Sequence, residues 1–333
     1  EQKDALYWFG KNNAKYFDKF GFSYFTREVY DAFYPGYGAS WPAYFGSIAM
    51  TYENGSTRGL LVRRSDELEV TFRRTVRRHL TTSIGTCETA AQYRKQLLAN
   101  FWKYQVTAIE EGKSEPVREY VLPRRGNLSN VDKLASILME QGVEIKRATA
   151  PIGEYPAGSY VIPLAQPAKR LIRTLLDANV PMDDEFLKAE NDRRKRRRGS
   201  EIYDVTAWNV PMQFNVECIA ASAATAGTFE NLTPETLPKG SVSGDGSVAY
   251  VVPWGTNSAG RFLAAAMRAD LRVHGSDKPF TMNGRKFPAG TLIIKVAENS
   301  TVQGLAEKVR AMSAASGAEV LGVASSWGDD GAA

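Results

Sequence analysis

Hydrophobic and polar positions change rhythm several times along the chain, and each change marks a boundary. Between Ser47 and Glu53 they alternate: Ile48, Met50 and Tyr52 fall on one side, and Ser47, Ala49, Thr51 and Glu53 on the other. That period predicts a strand, because successive side chains of an extended backbone point to opposite faces. Asn54-Gly55 supplies a turn signal, and a second short strand is expected over 59–63. From Thr71 to Tyr104 the spacing lengthens to three and four residues. Phe72, Val76, Leu80, Ile84, Cys87, Leu98, Phe101 and Trp102 then form a helical stripe expected to be buried, with a break near Gly85 and Thr86 as the next cap. The charged run Glu110–Glu115 reads as a linker. Residues 1–46 are dense in Tyr, Phe and Trp without an amphipathic period, and Gly36 and Gly38, between Pro35 and Pro42, predict a loop.

Beyond residue 110 the pattern repeats. Tyr120-Val-Leu-Pro123 returns as Tyr250-Val-Val-Pro253, and Tyr155-Pro-Ala-Gly-Ser-Tyr-Val-Ile162 as Phe287-Pro-Ala-Gly-Thr-Leu-Ile-Ile294. The helical stretch from Asn130 to Val143 has its counterpart from Asn257 to Val273, and closing helices are expected over 168–178 and 301–313. Each unit reads strand, helix, strand, turn, strand, helix, which implies an open α/β sheet covered by helices. The expected fold is therefore α/β in three modules: 1–110 as a partial mixed sheet with a long helix, then 111–215 and 216–333 as duplicated α/β units.

Composition narrows the function classes. With 43% hydrophobic and 24% charged residues the chain is neither disordered nor fibrous, and no window is apolar enough for a membrane span. A net charge of +5 is too small to argue for nucleic acid by itself. The run Arg193–Arg198 is the one concentrated basic stretch; preceded by Asp183, Asp184, Glu185 and Glu190, it reads as a solvated loop or helix end. Tyr203–Trp208 follow it. Cys87 and Cys218 exclude a disulfide framework and are expected as buried free thiols, and only His79 and His274 are available as imidazoles. The chain begins at Glu1, with no start methionine or leader, as expected of a processed product or a fragment.

Familiar catalytic signatures are missing. Gly112-Lys113-Ser114 ends like a phosphate loop, but Thr107 stands where its leading glycine belongs; no dinucleotide fingerprint or nucleophile elbow is present. Cys87 and His79 share one helix and read as structural, and His274 with Asp277 reads as a loop contact.

One constellation carries chemistry. The loop Tyr34-Pro-Gly-Tyr-Gly-Ala-Ser-Trp41 leads, twelve residues on, to a carboxylate ending the strand Met50-Thr-Tyr-Glu53. Over roughly residues 1–105 this resembles the C-terminal part of the zinc carboxypeptidases (M14-type metallopeptidases), and Thr26–Tyr30, Arg58-Gly59 and the downstream units resemble a bacterial subgroup with extra C-terminal α/β domains. The resemblance implies peptide-bond hydrolysis at substrate C-termini. It assigns Glu53 as general base, Tyr34 (or else Tyr37) as the residue closing over the substrate, and Trp41 as the loop tryptophan lining it. A peptide or protein is the implied substrate, and the setting is extracytoplasmic or secreted. Zinc is the implied cofactor, but the family's His-x-x-Glu, second His and carboxylate-binding Arg lie upstream of the loop, and residues 1–33 contain no His. The missing N-terminal half of the catalytic domain is thus the expected partner, and the chain alone is expected to be inactive, with exposed sheet edge and apolar surface.

On residue chemistry alone, Glu53 reads as a surface acid beside a turn, paired with Arg58, and Tyr34 and Tyr37 read equally as aromatic packing. The alternative function is a non-catalytic α/β module binding a ligand or partner at strand ends. Nucleic-acid binding through Arg193–Arg198 is a third reading.

Overall fold

The computed structural model describes residues 2–25, 32–202 and 205–331; Thr26–Tyr30, with Arg27, and Tyr203 lie outside the described residues. In chain order it contains α1 (Gln2–Phe20), β1 (Leu61–Arg63), β2 (Glu69–Thr71), α2 (Phe72–Gln92) and α3 (Arg94–Ser114). Then come β3 (Glu119–Leu122), α4 (Leu128–Glu140), β4 (Lys146–Ala148), β5 (Tyr160–Pro163), α5 (Lys169–Leu176), α6 (Asp184–Lys195) and α7 (Val210–Phe214). The remainder holds β6 (Ile219–Ala221), β7 (Phe229–Asn231), β8 (Ser241–Gly244), β9 (Ala249–Val252), α8 (Asn257–Arg268) and β10 (His274–Gly275). It closes with β11 (Phe280–Met282), β12 (Arg285–Phe287), β13 (Leu292–Lys295), α9 (Leu305–Ser316), β14 (Glu319–Val323) and β15 (Asp330–Gly331). The class is α/β. The chain divides into two compact units, 1–118 with 163–210, and 119–162 with 211–333. No helix among the described residues is long and apolar enough to cross a membrane.

The first unit is built on helices. Residues 2–20 form α1 despite their aromatic density, because Ala5, Phe9 and Asn13 recur on one face and pack inward. That face meets α2, whose buried residues are Thr75, Thr81, Thr82, Gly85 and Thr89. Each of these threonines satisfies its hydroxyl on a carbonyl of its own helix, as Thr89 Oγ1 does on Gly85 O at 2.8 Å. The small residues let the helices approach closely: a Cβ on Gly85 would collide with the Asn13 side-chain oxygen. Gly85 is therefore a packing glycine, and the helix breaks instead at Tyr93, on which Trp8 stacks at 4.5 Å.

Burial of the threonine face turns the apolar stripe outward. Phe72 is 54%, Leu80 58% and Trp102 70% exposed, and Val76, Ile84, Cys87, Leu98 and Phe101 are exposed as well, contrary to the expectation that this stripe lies in the core. Glu110–Glu115, read as a linker, is the end of α3, where Glu111 and Glu115 hold the buried Lys169 of α5. Arg170 lies 4.3 Å over the Tyr104 ring and donates to Tyr104 O at 2.7 Å. The basic run continues the end of α6, a helix capped by Asp183 with acids in its first turn, and Arg193 pairs with Glu201 at 2.7 Å.

The second unit is built on sheets. One runs β6-β3-β5-β4-β7 and another β10-β13-β9-β14-β8, so β6-β3-β5-β4 and β14-β9-β13-β10 share an order. In neither is the strand after the helix the neighbour of the strand before it, because β5 or β13 lies between; most pairs are consequently antiparallel, β14 with β8 being parallel. Local geometry repeats at the Pro-Ala-Gly turns. Ser159 Oγ and Thr291 Oγ1 each donate to the proline carbonyl three residues earlier at 2.7 Å. Gly158 and Gly290, at φ 87° and 82°, occupy the left-handed region with Arg124 and Trp254 against them. α8 and α9 close over the second sheet, burying Phe262, Ala266, Ile294, Val309 and Val320.

Candidate functional site

Glu53 lies in an irregular segment that follows the short helical turn Trp41–Phe45. The alternation read over 47–53 holds in the burial only from Met50 onward: Met50 and Tyr52 are half-buried and Thr51 and Glu53 exposed, but Ala49, expected on the outer side, is half-buried like Ile48. The ladder is absent. Residues 48–57 belong to no strand and make no backbone hydrogen bond to other backbone among the described residues, and the first paired hairpin is β1 with β2.

Anchors on either side of Glu53 set its direction. The Tyr52 hydroxyl accepts from Asn13 Nδ2 at 2.9 Å and sits 3.1 Å from Thr86 Oγ1. Asn54 Nδ2 donates to Thr75 O at 3.2 Å, and Arg78 Nη1 donates to Asn54 Oδ1 at 3.4 Å. With both neighbours drawn to α1 and α2, Glu53 projects to the opposite face, exposed. It forms no ion pair with Arg58 among the described residues; Arg58 is an exposed turn residue at φ 45°.

Aromatic loop residues are packed together. Tyr34 and Tyr37 meet edge to face at 5.4 Å, and Tyr34 lies 5.9 Å from Trp208, which also takes Phe33 at 4.9 Å. Trp208 is buried and donates to Thr174 O at 2.9 Å, so this loop rests on the α5 side of its unit. Trp41 contacts Phe45 at 6.0 Å. No hydrogen bond, ion pair or ring contact between described residues joins Glu53 to Tyr34, Tyr37 or Trp41. A cavity of about 350 Å³ between α1, α3 and the 46–48 segment is lined by Phe9, Ile48, Leu98, Phe101 and Tyr104, and by none of the four.

The fit to zinc can be tested on the side chains. Among the described residues no three of His, Cys, Asp and Glu gather into a metal-binding group. His79 is exposed on α2, and His274 Nε2 lies 2.6 Å from Glu298 Oε2 rather than on Asp277. These residues do not make a zinc site. Cys87 is exposed and Cys218 half-buried, not both buried as expected, and no disulfide links them.

No protein-family model, curated protein or solved structure matches the chain. Its chemistry must therefore be read from its own side chains.

Two polar clusters escaped the sequence reading. In the second unit Arg124 donates to both carboxylate oxygens of Asp132, at 2.8 and 2.9 Å, and Tyr160 donates to the same group at 2.7 Å. Burial, then the Asp132 charge, pushes the Tyr160 phenol far up, so it stays a donor. In the first unit Lys169 and Arg170 converge on Glu111; burial opposes ionisation there, but hydrogen bonds from both cations hold its carboxyl below the usual range. Each cluster is internally satisfied and ties a helix to its neighbours. The available signal was Arg124 itself, a cation directly after Tyr120–Pro123 where the similar stretch Tyr250–Pro253 is followed by Trp254.

Proposed function

We propose that residues 1–110 are the rear part of a zinc-carboxypeptidase-like catalytic domain in which Glu53 is the general base for hydrolysis of a C-terminal peptide bond. The observation that carries this reading is the mounting of Glu53: a carboxylate between two anchored neighbours, Tyr52 and Asn54, on a segment whose backbone has no ladder. Under this reading the Glu53 carboxylate takes a proton from an attacking water and returns it to the leaving amine. Tyr34, or Tyr37, is assigned to cover the substrate, with the packing against Trp208 as its resting position, and Trp41 to line the site. The metal is assigned to ligands outside residues 1–333.

The test joins this chain to the polypeptide encoded upstream of Glu1, supplies zinc, and follows release of the C-terminal residue from a blocked dipeptide. Glu53→Gln is expected to lower kcat by about 10²–10⁴-fold with little change in KM. Because Glu53 is exposed, folding is unaffected. Full activity in that variant would sink the base assignment.

A second reading, a non-catalytic binding module, is favoured by the second unit. Asn257 donates to Asn130 at 2.9 Å and Ser258 N to Ser129 Oγ at 3.0 Å, which brings the first turns of α4 and α8 together. A cavity of about 540 Å³ beside them is lined by Arg125, Asn127, Met212 and Glu217. Under this reading the 333-residue chain binds its ligand unaided, and Glu53→Gln leaves that binding unchanged.

A further inference from the structure

Cations crowd the start of α2 with no acid among them. Arg74 precedes Arg77 and Arg78 by three and four residues, a spacing that sets its Cβ about 5–6 Å from each of theirs. None of the three forms an ion pair among the described residues, and the side chains of Arg74 and Arg77 make no hydrogen bond there either. Like charges at these spacings repel, and Arg74 stands in the first turn, where the helix dipole disfavours a cation. Arg78 registers the crowding: burial, then the Arg74 and Arg64 charges, holds its guanidinium below the usual arginine range.

Aromatic rings hold two of these cations together. The Arg77 guanidinium lies over the Phe20 and Phe22 rings at 5.4 and 5.6 Å, and the Arg78 guanidinium over Phe22 at 5.7 Å. Phe22 is buried, so both rest on a fixed base. Arg78 Nη1 also donates to Asn54 Oδ1 at 3.4 Å and Nη2 to Ser23 Oγ at 3.5 Å. A guanidinium laid on a ring uses its face and keeps edge N–H groups for an acceptor. The number of charges then selects that acceptor. A carboxylate brings one negative charge, whereas a phosphate monoester brings about two at pH 7 and three strong acceptor oxygens.

We propose that Arg74, Arg77 and Arg78 form a binding site for a phosphate monoester, whose terminal oxygens accept hydrogen bonds from the three guanidinium groups. The run Arg193–Arg198 is the contrast within the same chain: there Arg193 and Lys195 already pair with Glu201 and Asp192. The proposal stands whether or not Glu53 is a base.

The probe is glycerol 3-phosphate, titrated into the 333-residue chain at low salt and followed by calorimetry, with acetate at equal ionic strength as the reference. Saturable binding is expected, at least about tenfold tighter than that of acetate. Arg74→Gln/Arg77→Gln is expected to weaken it at least about tenfold, and Arg196→Gln/Arg197→Gln to leave it unchanged. Without ligand, Arg74→Gln relieves repulsion, so that chain is expected to unfold at no lower urea concentration than the parent. Vesicles of phosphatidic acid carry the same monoester on a lipid. Tighter binding of the vesicles, lost in the Arg74→Gln/Arg77→Gln chain, assigns the phosphate to a membrane surface, and tighter binding of the soluble ester assigns it to a free metabolite. Four results overturn the proposal: no binding of either carrier; acetate bound equally well; equal weakening by Arg196→Gln/Arg197→Gln; or a lower urea midpoint for Arg74→Gln, which makes that arginine structural. None of these bears on the Glu53→Gln assay, so the two ideas fail separately.

Discussion

The two units bury their apolar residues in opposite ways. In the second, strands are laddered and alternate faces disappear under helices, so that Tyr250, Phe262, Ile294 and Val320 share one core. In the first, the longest helices meet through threonine, glycine and asparagine, and leave phenylalanine, leucine and tryptophan facing solvent. The contrast teaches that amphipathicity and burial are separate properties. A helix with a clear apolar stripe buries whichever face finds a partner, and small side chains win when they permit closer approach.

The sharpest break of this comparison is a pair of core and surface truncations. Phe262→Ala, which opens a cavity under α8, is expected to cost about 3–5 kcal/mol. Leu80→Ala and Trp102→Ala, one a smaller and one a larger deletion, both at exposed positions of the first unit, are expected within about 0.5 kcal/mol of the parent. Urea denaturation followed by circular dichroism compares them, and equal losses would mean that the stripe is covered in solution.

Next in size is the polar tie within the first unit. Glu111→Gln with Glu115→Gln leaves the Lys169 ammonium buried without a counter-charge, an expected loss of about 3 kcal/mol. The loss should appear in the unfolding of the first unit and not in that of the second, as resolved by amide exchange on α5 and α8.

Smallest is a pH effect in the second unit. The hydrogen bond from Arg285 holds the Glu319 carboxyl below its usual range. A carboxylate lowered in the folded state contributes stability above its ordinary pKa, and that contribution is lost as pH falls through the folded value. The pair is partly exposed, so Glu319→Gln should cost under about 1 kcal/mol at pH 7, with the gap to the parent closing below about pH 4.

The two Pro-Ala-Gly turns were the most legible part of the fold, because such a turn imposes local geometry independent of distant partners. Ser159 and Thr291 close their turns in the same way for that reason. The region 47–57 was half legible: alternation follows from side-chain direction, whereas a ladder needs a second strand that the pattern does not name. α1 was missed because Tyr7, Trp8, Phe17 and Phe20 swamp the Ala5–Phe9–Asn13 period. The exposure of the α2 stripe was not legible either, since apolar spacing says which residues share a face and nothing of what opposes it. Of the proposed site, Tyr34 and Tyr37 were read as neighbours and are packed together, while Trp208 beneath them lies far along the chain and carries no local signal.

The route of the chain through the first unit bears on its synthesis. Residues 163–210 return to it after an excursion through β3–β5, bringing Lys169, Arg170 and Trp208 to side chains made much earlier. A nascent polypeptide emerging from the ribosome therefore carries Glu111 without its two cations and Tyr34 without Trp208 until that later stretch is released.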